Sequence, residues 1–224
     1  MKFTVIIPVF NEAKTVGKII EQVSVQKCVD KIIIVNDGST DDTPKILKSI
    51  KDSKIKVVTQ LKNMGKGAAI KVGLKEIDGG YFIIQDADLE YDPAQYPSLL
   101  SFAKPNVVVY GSRLLEDNNE HAYFATYFGN VLLTKMFNIL YGVYLTDAYT
   151  CYKLLPVGVA KSLALSSNGF EIEAEITAKL AKSGVKIVEV PINFNPRSYE
   201  EGKKIKAKDA LIGLWTFLKV RLSW

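Results

Sequence analysis

Five short apolar runs, spaced by helical or turn-forming segments, constrain this chain more than any other feature. KFTVIIPVF, KIIIVND, IKVVTQL, YFIIQ and NVVVYGS follow one another between residues 2 and 112. Their cores are apolar throughout rather than alternating, the pattern of strands covered on both faces. Between them, EAKTVGKIIEQVSV, residues 41–50, KGAAIKVGLKEI and PAQYPSLLSFA carry helical spacing. Thr40 or Asp41 is placed to cap the second of these helices, and Pro93 opens the last. VKIVEVPINF adds a further strand at 185–194. Strand and helix in alternation predict an α/β fold, a mostly parallel sheet with helices on both faces. Ligands of such sheets bind beyond the carboxyl ends of the strands. Asn11-Glu12, Asp37-Gly38-Ser39, Asp86-Ala87-Asp88 and Gly111-Ser112-Arg113 are expected there.

At 48% hydrophobic over 224 residues, the chain can bury one sizeable core. The expected organisation is one domain over residues 1–209 and an amphipathic C-terminal helix over 210–224. The net charge of +5 is uneven: residues 197–224 carry seven basic and three acidic side chains, and residues 1–196 carry 22 and 21. A basic end implies an anionic partner, phosphate or a lipid surface. No motif or basic–aromatic strip points to nucleic acid. Cys28 and Cys151 form no disulfide framework, and MKFTVIIPVFNE reads as a strand rather than a signal peptide, so a cytoplasmic location is expected. Residues 121–146 hold a single full charge, Lys135, but also Asn130, Asn138 and two glycines. They read as a buried or interfacial helix, not a span of about 20 apolar residues.

FIIQDADLEYDP sets Asp86, Asp88 and Glu90 at alternate positions after a strand. Carboxylates this close repel one another unless a cation lies between them. Hard oxygen donors suit Mg²⁺ or Mn²⁺, and Mg²⁺ typically takes one or two carboxylates plus substrate phosphates. The same residues could also form only an acidic turn before Pro93. Asp37-Gly38-Ser39 is either a plain turn or a contact to a base or ribose. NMGKGAAI misses the dinucleotide fingerprint by its third glycine and its place in the chain, which excludes NAD. Only three arginines occur against 26 lysines. Arg113 and Arg197 fall in predicted loops, where a guanidinium fork suits phosphate. Glu171 and Glu173 are either the acidic first turn of a helix or active-site acids.

Taken together, VIIPVFNE, IIIVNDGSTDDT, NMGKGAAIKVG, DADLEYDP, GSR, LTDAYTCYK, GFEIEAEITAKLAKSGVKIVEVPINF and RSYEEGKKI resemble family 2 of the inverting glycosyltransferases, in particular its dolichyl- or polyprenyl-phosphate sugar synthases. The resemblance implies a GT-A type nucleotide-sugar fold. It implies that Pro8, Phe10, Glu12 and Asp37 line a nucleoside pocket and that Lys66 belongs to the same binding set. It implies a DxD-like metal site at Asp86 and Asp88, with Glu90 as a further ligand position. Arg113 would face a donor or acceptor phosphate, and Arg197, Lys203 and Lys204 would close over the phosphates from a mobile loop. Val131 stands where many relatives carry a basic residue, and the C-terminal membrane spans of some relatives are not seen.

The implied activity moves a hexose from GDP-mannose or UDP-glucose to a polyprenyl or dolichyl phosphate, using Mg²⁺ or Mn²⁺. The enzyme would work peripherally at an anionic, cytoplasmic membrane face. Asp88, Arg113 and Glu171 are the expected catalytic residues. Two other readings stay open: a sugar or protein hydroxyl acceptor, for which Asp147, Glu171 or Glu173 would be the base, and a nucleotide-sugar-binding module without turnover.

Overall fold

A computed structural model describes residues 1–115, 124–197 and 207–223; the side chains of 124–127 and 207 are not described. The elements run β1 Phe3–Val9, α1 Val16–Ser24, β2 Lys31–Asn36, α2 Thr43–Ser49, β3 Ile55–Thr59, α3 Lys66–Lys75 and β4 Tyr81–Ile84. After a 3-10 turn at Pro93–Gln95 come α4 Tyr96–Ser101, β5 Val107–Ser112, α5 Phe124–Tyr141, β6 Lys153–Pro156, α6 Val157–Ser162, α7 Ile172–Lys182, β7 Lys186–Pro191 and α8 Ala207–Leu222. The seven strands form one sheet in the order β3-β2-β1-β4-β6-β5-β7. All neighbouring pairs are parallel except those of β6, which runs antiparallel to β4 and β5. The mostly parallel α/β sheet expected from the sequence is the observed fold.

The apolar runs of β1, β2, β4 and β5 lie buried at the sheet centre, with Ile6, Ile33, Ile83 and Val109 fully so. β3 and β7 are edge strands and keep partly exposed positions. α1 covers the sheet with Val16, Ile19, Ile20 and Val23, the i, i+3, i+4, i+7 stripe of an amphipathic helix. β6 and α6 carry no strong pattern in the sequence and arise only in three dimensions. α2 begins at Thr43, two residues later than its spacing suggests, because the Asp41 carboxylate accepts the N–H of Thr43.

The strand order reverses between β1 and β4, which opens a crevice at their carboxyl ends. Pro8 helps to hold it open. The carbonyl of Ile6 faces β4 and accepts from Gln85 N–H, so Pro8, two residues on, faces the same side. The β1–β4 ladder has ended at Ile6 and Ile84, and there the missing N–H of proline costs nothing.

α8 packs on α7 and α5. Phe217 lies 4.6 Å from Phe137, the Tyr141 hydroxyl donates to the Phe217 carbonyl, and Phe217 is fully buried. The opposite faces are apolar and exposed: Leu132, Met136 and Ile139 on α5, and Leu211, Trp215 and Leu222 on α8. Among the described residues no helix is long and apolar enough to cross a membrane.

Candidate active site

A cleft of about 340 Å³ lies at the crevice between β1 and β4. Its wall brings together Pro8, Phe10 and Glu12 after β1, Asp37 after β2, Lys66 at the start of α3, Asp86, Asp88 and Glu90 after β4, and Arg197 after β7. Asn63, Gly65, Gly169 and Phe170 complete it. The fold thus gathers into one place residues that the sequence scatters over nearly 190 positions.

Asp37 is 3% exposed, and its carboxylate accepts from Gln60 Nε2 at 2.7 Å, Met64 N at 2.8 Å and Gly65 N at 2.7 Å. Burial pushes its pKa up, and the Met64 and Gly65 N–H bonds act against that rise. These bonds fix the 63–65 segment, so Asp37 shapes the pocket as well as lining it. Gly65 has φ +98°, and a Cβ there would stand 2.4 Å from the Asn168 carbonyl oxygen. Only glycine lets α3 start against the 167–169 turn.

The Asp86 turn is anchored from below. Gln85 is fully buried; its Oε1 accepts from Tyr96 and Tyr152 hydroxyls, both at 2.6 Å, while Nε2 donates to the Asp86 and Tyr91 carbonyls. Every polar atom of that amide is used, which sets the position of the carboxylates that follow. Leu89 in the same turn has φ +65°, a left-handed conformation unusual for a leucine.

Lys66 Nζ lies 2.7 Å from Asp86 Oδ1 and 2.9 Å from Oδ2. It also approaches Glu173 Oε1 at 3.1 Å, and Glu173 Oε2 is 2.5 Å from Lys153 Nζ, a fully buried ammonium. A buried chain of alternating charge results: Asp86, Lys66, Glu173, Lys153. Burial alone would raise the Asp86 pKa, but the Lys66 ammonium outweighs it and holds the carboxyl below its usual range. Asp88 behaves oppositely. Burial, then the neighbouring charges of Asp86 and Glu90, push it up to about 8, with Arg197 only partly offsetting them. Arg197 spans the cleft, with Nη1 and Nη2 3.3 and 3.4 Å from the two Glu12 oxygens and Nη2 3.4 Å from Asp88 Oδ2.

The remaining expected residues are engaged in other contacts. Glu90 turns its Oε1 to the backbone N–H of Arg197, and among the described residues no group of three His, Cys, Asp or Glu is arranged to hold a metal. One Glu90 oxygen thus tethers the Arg197 segment, while the residue shares the cleft wall with Asp86 and Asp88. Arg113 is not on the cleft wall; its guanidinium is paired with Asp147 through Nε at 2.7 Å and Nη2 at 2.8 Å. Asp147 is fully buried, and Arg113 keeps its pKa low against the effect of burial. Glu171 is also off the wall, and its Oε1 accepts from Asn168 and Gly169 N–H just before α7. Lys203 and Lys204, with the loop expected to be mobile, lie outside the described residues. Sequence reasoning missed Gln85 and Lys153. No local pattern marks a buried lysine as a partner for a glutamate 20 residues on.

A family model described as Glycosyl transferase family 2 matches residues 4–163. The chain belongs to that family. It is 29% identical over 216 residues to the dolichol-phosphate mannosyltransferase of Pyrococcus furiosus, covering 91% of this chain and 59% of the relative. It is 28% identical over 210 residues to the low-salt glycan biosynthesis hexosyltransferase Agl6 of Haloferax volcanii, covering 88% and 48%. An undecaprenyl-phosphate 4-deoxy-4-formamido-L-arabinose transferase of Proteus mirabilis is 30% identical over 145 residues, covering 60% and 44%. The chain thus spans about half the length of these curated relatives. Among solved structures, glucosyl-3-phosphoglycerate synthase from Mycobacterium tuberculosis, in complex with Mn²⁺, uridine diphosphate and phosphoglyceric acid, superposes with a TM-score of 0.75 at 18% identity, covering 99% of this chain and 78% of that one. At that identity the likeness concerns the fold, of GT-A type. The family resemblance drawn from the motifs holds.

Proposed function

We propose that this family 2 glycosyltransferase moves a hexose from a nucleoside diphosphate sugar, GDP-mannose or UDP-glucose, to a polyprenyl phosphate, with inversion and with Mg²⁺ or Mn²⁺. The observation that carries the reading is the cleft itself, where Pro8, Phe10 and Asp37 stand beside Asp86, Asp88, Lys66 and Arg197. An apolar and hydrogen-bonding end suits a nucleoside, and a charged end suits a diphosphate. The names of the relatives point the same way: one acts on dolichol phosphate and another on undecaprenyl phosphate.

The two aspartates fit a hard divalent ion whose shell the substrate phosphates complete. Such an ion would offset negative charge growing on the leaving diphosphate. Lys66 and Arg197 supply further positive charge at the same end, so the departing diphosphate meets the chain's own cations rather than water alone.

The engagement of the carboxylates supports one acceptor class over the other. A hydroxyl acceptor needs a general base, whereas a phosphate is already ionised at neutral pH. Asp147 is bound by Arg113, Glu173 by Lys153 and Lys66, and Glu171 by two backbone N–H groups. Each of the three candidate bases is committed, which favours the phosphate acceptor over the hydroxyl one.

The test is a panel of radiolabelled nucleotide sugars incubated with polyprenyl phosphate in detergent. Lipid-linked hexose from one donor, abolished by EDTA and restored by Mg²⁺ or Mn²⁺, is the expected result. Transfer only to a sugar or protein hydroxyl would displace this reading, and nucleotide binding without any turnover would make the chain a binding module.

A further inference from the structure

Each carboxylate of the pair that the proposed function assigns to a divalent ion already faces one of the chain's own cations. Lys66 bridges both oxygens of Asp86, and Arg197 reaches Asp88 while it also pairs with Glu12. A divalent ion entering between Asp86 and Asp88 would meet an ammonium and a guanidinium already at hydrogen-bonding range. Like charges so close repel, so both cations must withdraw before the ion can settle.

The structure marks where each would go. Glu173 Oε1 is buried and has no hydrogen bond, although Lys66 Nζ stands 3.1 Å away. The distance is that of an ion pair, but the alignment for a hydrogen bond is missing. A small swing of the lysine would supply it. Lys153 holds the other oxygen of Glu173 and keeps that carboxylate in place. Arg197 Nε is likewise buried without a partner. A buried guanidinium N–H with no acceptor is costly, and Arg197 lines the cleft, so a shift that brings Nε to an anion there is favoured. Its bonds to Glu12 and Asp88 are 3.3–3.4 Å long, loose for a charge-assisted pair.

We propose that Lys66 and Arg197 are resident counter-cations of the Asp86–Asp88 pair, and that Glu173 is the positioning residue that receives Lys66. A divalent ion then takes the pair only in company with a diphosphate, which draws Arg197 off Asp88 while Lys66 swings from Asp86 to Glu173. Metal and nucleotide bind as a coupled unit. The inference rests on the transferase reading above and adds an order of events to it.

Mn²⁺ binding followed by the loss of its free-ion EPR signal tests this without any turnover. Wild type should bind Mn²⁺ weakly alone and at least about tenfold more tightly with saturating UDP or GDP, within the usual range of site-to-site coupling. Since diphosphate itself chelates metal, the deciding measurement is made without nucleotide. There, Arg197→Met and Lys66→Met should each bind Mn²⁺ about tenfold more tightly than wild type, because a competing cation is gone. With UDP or GDP present, that advantage should vanish or reverse. Glu173→Gln should leave nucleotide-free binding unchanged and weaken the ternary complex. Arg197 is half-buried at the cleft and belongs to no part of the hydrophobic core, so its variant keeps the test valid if Lys66→Met fails to fold. Nucleotide-free affinity unchanged or lower in Arg197→Met overturns the proposal while leaving the transferase reading intact. Absence of Mn²⁺ binding by wild type both with and without UDP and GDP removes the two together.

Discussion

At the scale of single residues, Asp88 is the sharpest case. It is crowded by Asp86 and Glu90 and half-buried, so its charge is a burden to the ligand-free chain. A side chain that costs stability where it stands is expected to serve the ligand instead. Asp88→Asn keeps the shape and removes the charge. Transferase activity should fall by at least about 10²-fold, the scale of losing one electrostatic stabiliser, while the melting temperature holds or rises. Near-normal turnover in that variant would take Asp88 out of the reaction. Glu175 shows the opposite balance. Its carboxylate accepts from Ser166 and Ser167 N–H and pairs with Lys179 at 2.7 Å; burial opposes these bonds, yet they hold its pKa at about 2. A folded-state pKa below the unfolded value gives stability that is present above the unfolded pKa and lost as pH falls from about 4.5 towards 2. Glu175→Gln should therefore destabilise the protein at pH 7 by roughly 2 kcal/mol, after allowance for solvent around Lys179. Urea melts should show that gap closing below about pH 3; a gap independent of pH would mean the ion pair contributes little.

At the scale of elements, the sequence is most legible where one physical rule acts alone. β1, β2, β4 and β5 are apolar because both faces are covered, and that pattern is visible without any structure. β6 is also central, but Lys153 opens it, and a lysine argues against a buried strand until Glu173 is placed beside it. α8 is legible as a helix and not as a docked one. Phe217 and Val220 bury one face, which gives this helix a structural role whatever its outer face does. Gly213 is the contact that allows the docking: a Cβ there would fall 1.3 Å from Tyr149 Oη. In an isolated helix, Gly→Ala would stabilise by about 1 kcal/mol. Here Gly213→Ala should instead destabilise by about 1–3 kcal/mol, the cost of overpacking, and Tyr149→Phe should recover part of it. Thermal melts of the three variants decide this, and a stabilised Gly213→Ala would show that α8 is not held against Tyr149.

For the whole molecule, what the sequence could not convey was convergence. Glu12 and Arg197 are 185 positions apart and meet across the cleft; no spacing rule links them, and only the switch in strand order brings their loops together. The expected site residues were readable as types, while their pairing was not: Lys66 with Asp86 at the cleft, Arg113 with Asp147 away from its wall. The outer surface poses the corresponding question at large scale. α5 and α8 pack on each other through Phe137 and Phe217, and both turn apolar side chains outward, Leu132 and Met136 from one and Leu211 and Trp215 from the other. Lys135, Lys208 and Lys219 are exposed on the same two helices. An acceptor with a polyprenyl tail lives in a bilayer, and an apolar surface fringed by lysines suits an anionic leaflet, where each basic residue adds about 1 kcal/mol. The protein should therefore float with anionic liposomes at low salt, and less at high salt. Removing α8 altogether is the wrong control, since it would strip Phe217 from the core. The double variant Leu211→Ser, Trp215→Ser touches only exposed positions, so it should stay at the bottom of the gradient with its melting temperature and nucleotide binding unchanged. If it floats like wild type, the anchor lies on α5, at Leu132 and Met136. If wild type itself fails to float at any salt, the lipid acceptor loses its main physical support, and a soluble hydroxyl acceptor moves ahead.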